Sequence, residues 1–276
     1  MKKSPKLSII TVCYNNKNGL QKTMESVAKQ TFIDYEYIVI DGGSTDGSVE
    51  LIKNEDLKNR KECRIKNLRW VSEKDNGIYD AMNKGIKMAC GEYCYFLNSD
   101  DYIAAPNTLE KIFAKLKPET DIVYGNLAIR KNNKLRSVTK FSKKVLPYSF
   151  YRYKQALHHQ ASFIKRELFQ KYGLYSEKAK LISDWIFFFE TIILHKVKIQ
   201  YINRIFAVFL SGGSSVQMSE QHIKDDFVQT YFSEKQINKY QSKDKLIKIW
   251  RIEKIEKLFG KIYLLYALLT ELRIKN

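Results

Sequence analysis

Over its first 125 residues the chain alternates short apolar runs with amphipathic stretches, and the runs tend to stop abruptly at polar or acidic residues. The runs fall at 7–12, 37–40, 68–71 and 93–97. Each is short, rich in β-branched and aromatic residues, and bounded by turn-forming sequence, as expected for strands covered on both faces. Between them Leu20, Met24, Val27 and Ala28 share one helical face, and Ile78, Met82, Ile86 and Ala89 share another. Strands separated by helices of this length pair in parallel through crossovers. The expected fold class is therefore α/β, with a Rossmann-like, mostly parallel mixed sheet flanked by helices.

Ligands of such sheets collect beyond the carboxyl ends of the strands. Those positions hold Tyr14-Asn15-Asn16, Asp41, and Asn98-Ser99-Asp100-Asp101. Tyr14 offers a face for a planar base, and Asp41 a carboxylate that accepts from a base N–H. Asn98-Ser99-Asp100-Asp101 also reads as a plain turn and helix start. No Gly-x-x-x-x-Gly-Lys-Ser/Thr phosphate loop occurs, and Gly42-Gly43-Ser44-Thr45-Asp46-Gly47 lacks the dinucleotide spacing. Phosphates would then need a divalent cation, and Asp100 is placed to hold Mn2+ or Mg2+ through a carboxylate plus phosphate oxygens.

Beyond residue 125 the pattern changes. A strand at 121–125 leads to a hairpin of 127–130 and 135–139 around Asn132-Asn133, and residues 140–160 interleave aromatics with Lys and Arg. Residues 181–194 read as a helix carrying Asp184, and 220–275 are helical in period. The net charge of +18 is concentrated in residues 126–214, which carry 17 basic against 4 acidic side chains. Such a field implies an anionic partner. The 4 cysteines lack C-x-x-C spacing and are expected as buried free thiols in a reducing compartment. With no secretory leader and no membrane-length apolar stretch, a cytoplasmic location is expected.

Four segments, taken in order, resemble the motifs of the family 2 inverting glycosyltransferases. They are residues 8–16 (SIITVCYNN), 38–48 (IVIDGGSTDGS), 72–85 (SEKDNGIYDAMNKG) and 98–101 (NSDD). The resemblance implies a glycosyltransferase A-type catalytic domain over 1–215, with a nucleotide-binding half at 1–125 and an acceptor half at 126–215. A helical extension, 216–276, follows. It implies an inverting transfer from a nucleotide-diphosphate sugar donor, UDP-linked, to a hydroxyl of a saccharide or lipid-linked acceptor in surface polysaccharide or glycolipid assembly. By position, Thr11, Tyr14, Asn15, Asp41, Asp75, Asn98 and Ser99 would contact the nucleotide. Asp100 would be the metal-binding acid of the D-x-D-type motif, whose first acid is Asn98 here. Asp184 would be the general base, in agreement with the need to remove a proton from the acceptor hydroxyl opposite the leaving group. His159, Gln160 and Trp185 would line the acceptor cleft, and Gly212-Gly213-Ser214-Ser215 would close over the donor phosphates.

Two other classes share parts of this pattern. A nucleotidyltransferase would carry a basic, glycine-rich triphosphate loop near the N-terminus, which Tyr14-Asn15-Asn16-Lys17-Asn18-Gly19 does not resemble. A non-catalytic nucleotide-sugar or nucleic-acid module would bind without turnover; interleaved Lys, Arg and aromatics suit nucleic acid, yet no nucleic-acid motif is present. In residues 245–276 lysines alternate with Ile, Leu, Trp and Tyr, which suits either packing on the catalytic domain or a second copy, or peripheral attachment to an anionic membrane at its inner face. Co-sedimentation with anionic liposomes that is lost on deleting 245–276 is the outcome of membrane attachment; binding unchanged by the deletion assigns the segment to packing.

Overall fold

The computed structural model describes residues 4–62, 65, 67–131, 134–139, 146, 150, 157–179 and 182–210. The Gly212-Gly213-Ser214-Ser215 loop, the extension 216–276, Cys63 and most of the basic, aromatic stretch lie outside the described residues. The first half runs β1 (Leu7–Cys13), α1 (Lys17–Ala28), β2 (Tyr35–Asp41), α2 (Ser48–Glu62), β3 (Leu68–Ser72), α3 (Ile78–Met88), β4 (Tyr93–Phe96), β5 (Tyr102–Ile103) and α4 (Thr108–Phe113). The second half contributes β6 (Ile122–Lys131), β7 (Lys134–Thr139), a 3₁₀ turn at His159–Ala161, β8 (Ser162–Lys165) and α5 (Arg166–Tyr172). It ends in α6 (Ser183–Phe188), a π-helical turn at Phe189–Leu194, and β9 (Ile199–Leu210).

The strands form one mixed sheet in the order β3-β2-β1-β4-β8-β6-β9-β5, with β7 paired to β6. The β3-β2-β1-β4 half is parallel, as the βα alternation requires. The other half is not: β8 runs antiparallel to both β4 and β6, and β5 antiparallel to β9. This reversal decides the site, because it brings the start of β8 to the edge where β1, β2 and β4 end.

Successive residues of β1 face opposite sides of the sheet, and the two cores follow that period. Ile10 and Val12 pack with Ile38, Ile40, Met82, Phe96 and the ring cluster Phe187, Phe188 and Phe189. Leu7 and Ile9 pack on the other side with Leu20, Met24, Tyr37, Tyr95, Phe163 and Phe206. Two expectations on side chains are corrected. Ile78 is 38% exposed, and the buried stripe of α3 instead starts at Tyr79 and runs through Met82, Asn83 and Ile86. Steps of three and four both stay on a helix face, so the period alone does not choose between these stripes. Cys13 and Cys94 are buried free thiols as expected, whereas Cys90 is exposed at the α3–β4 junction. The expected helix at 181–194 is α6 continued by a π turn.

At the edge away from the strand ends, buried Glu36 gathers the Ser8 hydroxyl (2.7 Å), the Cys90 and Gly91 N–H groups (2.5 and 3.2 Å) and an ion pair with Arg69 (3.2 Å). Gly91 lies so close to β1 that a Cβ would sit 2.6 Å from the Ser8 nitrogen and 2.8 Å from the Leu7 carbonyl carbon. Backbone atoms held in a central strand cannot give way cheaply. Gly91→Ala is therefore expected to lower stability by about 2 kcal/mol, read from the urea denaturation midpoint.

Candidate active site

At the end of β1 the chain turns through Asn15, whose φ of 47° is a conformation asparagine tolerates better than most residues. That turn sends the Asn15 N–H to the Ser44 hydroxyl (2.8 Å) and its side-chain oxygen to the Thr45 N–H (2.9 Å), joining the β1 and β2 loops. Tyr14 is left 65% exposed beside them. A Cβ on Gly42 would overlap the Asp75 carboxylate and come within 3.4 Å of the Tyr14 ring, so the glycine lets both approach one spot. Asp75 is half-buried, and its Oδ1 accepts the Gly77 N–H at 3.0 Å. Asp75 thus shapes the turn before α3; it does not cap the helix, whose N-cap is Gly77.

Asp41 and Thr11 are placed differently from the other expected nucleotide contacts. Asp41 is fully buried, and its oxygens accept from the Gly43 and Ser44 N–H groups and the Ser44 and Ser72 hydroxyls. It ties the Gly42-Gly43-Ser44 loop to β3, where a base acceptor was expected. Thr11 is also fully buried; its hydroxyl donates to the Leu97 carbonyl (2.7 Å) and accepts from Tyr37 (3.0 Å). It pins β1 to β4 from inside the sheet.

Beyond β4, Asn98 to Asp101 form a tight turn seated on α1. The Thr23 hydroxyl lies 2.7 Å from the Asp101 carbonyl and accepts the Asp100 N–H at 3.1 Å. Ser99 accepts from the Asn16 amide at 3.3 Å. Asp100 has a φ of 87°, a strained conformation for a residue with a side chain. Its carboxylate is 40% exposed and meets only Lys22, at 3.5 Å, among the described residues. The Asn98 side-chain oxygen is buried with no hydrogen-bond partner among the described residues. Asp101, by contrast, points inward, and burial pushes its carboxyl up to about 7, with His159 and Gln160 partly opposing. Among the described residues no group of three or more His, Cys, Asp or Glu could hold a metal ion by itself.

Extending the β4–β8 pairing by a few residues sets the 3₁₀ turn against Asn98. The Asn98 amide nitrogen lies 3.3 Å from His159 Nε2, and His159 Nδ1 lies 2.8 Å from Asp184 Oδ2. Asp184 Oδ1 accepts from the Tyr79 hydroxyl at 2.9 Å and from the Trp185 N–H at 2.8 Å. Burial pushes the Asp184 carboxyl up, but its hydrogen bond to His159, the attraction of that ring, and the Tyr79 and Trp185 donors outweigh it and leave the carboxyl below its ordinary value. Gln160 is buried, with its carbonyl accepting the Tyr95 hydroxyl at 3.0 Å. Trp185 is 4% exposed, stacked on Phe189 and edge-on to Phe150. It belongs to the core, while its neighbour Asp184 is turned toward Tyr79 and His159.

Tyr79 was not anticipated as a site residue. Its signal was a hydroxyl-bearing ring on the largely apolar stripe of α3, and the partner that makes it informative lies 105 residues away.

A mixed α/β sheet with this strand order, and with polar side chains of both halves gathered at one edge, is a glycosyltransferase A-type catalytic domain. The chain belongs to glycosyl transferase family 2, which it matches over residues 8–173. It is 33% identical over 186 residues to a PGL/p-HBAD biosynthesis glycosyltransferase of Mycobacterium bovis, covering 67% of this chain and 68% of that relative. Among solved structures it resembles residues 1–349 of TarS from S. aureus in complex with UDP-GlcNAc. The TM-score is 0.60 at 20% identity, over 76% of this chain and 59% of that one, so the chain spans less than two thirds of TarS 1–349. A mannosyltransferase from Pyrobaculum calidifontis in complex with GDP-Man and Mn2+ is similar at TM-score 0.56 and 17% identity, over 81% of this chain and 61% of that one. The protein is a glycosyltransferase. No helix among its described residues is long and apolar enough to cross a membrane.

Burial pushes the His158 imidazole down to about 4, with His159 acting in the same direction and Asp184 opposing. Below the ordinary value of 6.5 the unfolded chain takes up a proton at this residue while the folded chain does not, so stability falls as pH drops from about 6.5 toward about 4. Between pH 7 and pH 5 the wild type should lose about 2 kcal/mol more than His158→Gln, measured by urea denaturation at the two pH values.

Proposed function

We propose that the protein moves a sugar, with inversion, from a UDP-linked donor to a hydroxyl of a saccharide or lipid-linked acceptor, with Asp184 as general base. The supporting observation is the path from Asn98 through His159 to Asp184. It joins the turn that follows β4 to a carboxylate held in its charged form. Asp184 takes the proton of the acceptor hydroxyl, and the freed oxygen attacks the anomeric carbon from the face opposite the diphosphate. The bond from that carbon to the diphosphate oxygen then breaks, and UDP leaves with the electron pair.

Tyr14 and Asp75 are read as the borders of the nucleotide pocket, with Asn15 and Ser99 shaping its loops and Asp41 bracing the pocket from behind. The unpartnered Asn98 oxygen is an acceptor for a ribose or sugar hydroxyl. Asp100 supplies one exposed carboxylate oxygen donor, which fits a hard divalent cation that completes its shell with water and phosphate. When bound, Mn2+ or Mg2+ would neutralise the leaving diphosphate. The Mn2+ and GDP-Man of the Pyrobaculum structure and the UDP-GlcNAc of TarS support a nucleotide-sugar donor and a divalent metal. The biosynthetic name of the mycobacterial relative supports a glycoconjugate acceptor. Work on such an acceptor at the inner face of the cell membrane fits the basic character of residues 126–214.

With UDP-GlcNAc and Mn2+, Asp184→Asn should lose at least about 100-fold in UDP release while UDP binding by calorimetry persists. Asp100→Ala should lose the stimulation by Mn2+. Turnover of Asp184→Asn near the wild-type rate would sink the assignment of the base.

A further inference from the structure

Asp184 is held by more than a base needs in order to be present. Among the described residues its Oδ1 has two donors, the Tyr79 hydroxyl at 2.9 Å and the Trp185 N–H at 2.8 Å, and its Oδ2 has one, His159 Nδ1 at 2.8 Å. The three donors come from α3, from the 3₁₀ turn before β8, and from α6 itself, so the carboxylate is fixed in both position and plane. Oδ2 is left as the oxygen with room for a further proton. The other nitrogen of His159 is 3.3 Å from the Asn98 amide, in the turn that carries Asp100.

We propose that Tyr79 and His159 are positioning residues for the Asp184 carboxylate, with Tyr79 holding Oδ1, His159 holding Oδ2, and His159 linking that oxygen to the donor side through Asn98. The inference rests on Asp184 as the base, and it assigns roles that the base alone does not require. In the tautomer with the proton on Nδ1, His159 donates to the carboxylate and its Nε2 accepts from the Asn98 amide, so one ring serves both bonds. A donor sugar or ribose hydroxyl that engages Asn98 thereby stiffens the ring that orients Oδ2. The titratable groups facing Asp184 are Tyr79 from α3, His158 and His159 from the 3₁₀ turn and its approach, and Tyr175 from the segment after α5. Both tyrosines have their phenols raised above the ordinary value, with burial the leading cause and Asp184 adding to it, and so remain neutral donors or bystanders.

The test is a carbon-13 NMR titration of protein labelled at aspartate Cγ, with the Asp184 resonance identified by its loss in Asp184→Asn. Each donor favours the charged carboxylate, so removing one raises the titration midpoint. Tyr79→Phe and His159→Ala should each move it upward by about one pH unit. His159→Asn, whose amide can donate from the δ position but cannot reach Asn98, should restore most of the midpoint while raising KM for UDP-GlcNAc several-fold. Tyr79→Phe should lower kcat for UDP release and leave that KM in place. Unchanged midpoints in both Tyr79→Phe and His159→Ala, with Asp184→Asn inactive, would overturn the positioning roles and leave the base assignment standing. Full turnover by Asp184→Asn would instead remove the base assignment itself, whatever the titrations show. Equal rises in KM for Tyr79→Phe and His159→Asn would overturn the link through Asn98.

Discussion

The antiparallel entry of β8 beside β4 is the constraint on which the site depends. Parallel strands alone would bring the ends of β1, β2, β3 and β4, with Tyr14, Asp75 and Asp100 beyond them, to one edge and no more. Because β8 runs the other way, its beginning lies at that same edge, and the turn before it delivers His159 to Asn98. Asp184 then needs only the short α6 to complete the group. Two halves of the chain with different connectivity thus contribute to one hydrogen-bonded group.

Four of the acidic residues near this edge meet four different environments. Asp41 is fully buried and surrounded by donors from its own loop and β3. Asp101 is buried with little compensation, and its carboxyl is pushed up to about 7. Asp184 is held below its ordinary value by three donors despite burial. Of the four, Asp100 is the substantially exposed one, on a strained backbone, with a single lysine in reach among the described residues. An exposed carboxylate suits a shared cation and an organised ionised one suits proton removal, whereas the two enclosed acids are better read as structure.

Much of the parallel half was legible from local pattern. The apolar runs became β1 to β4, and beyond them the expected hairpin is β6 paired with β7, whereas the close approach of Gly91 to β1 is visible only in the structure. The period of α3 was legible but its phase was not, since Ile78 and Tyr79 both fit a helical stripe and only contact with the sheet selects Tyr79. Trp185 and Asp184 pose the same problem: adjacent helical residues point about 100° apart, so both could not face the cleft. The carboxylate took it and the ring joined Phe150 and Phe189.

The amino-acid order by itself determined the α/β class, the strand ends where a ligand collects, and the membership of Asp100 and Asp184 among the candidate acids. The class and the strand ends follow from apolar period, a local quantity, and Asp184 from the resemblance of ordered motifs. Only the tertiary structure decided that Asp41 and Thr11 face inward, that Trp185 is core, and that Tyr79, His159 and Asn98 converge on Asp184. Hydrogen bonds across 25 to 105 residues set the last of these, and no periodicity within a single element encodes which distant donor a buried carboxylate will meet.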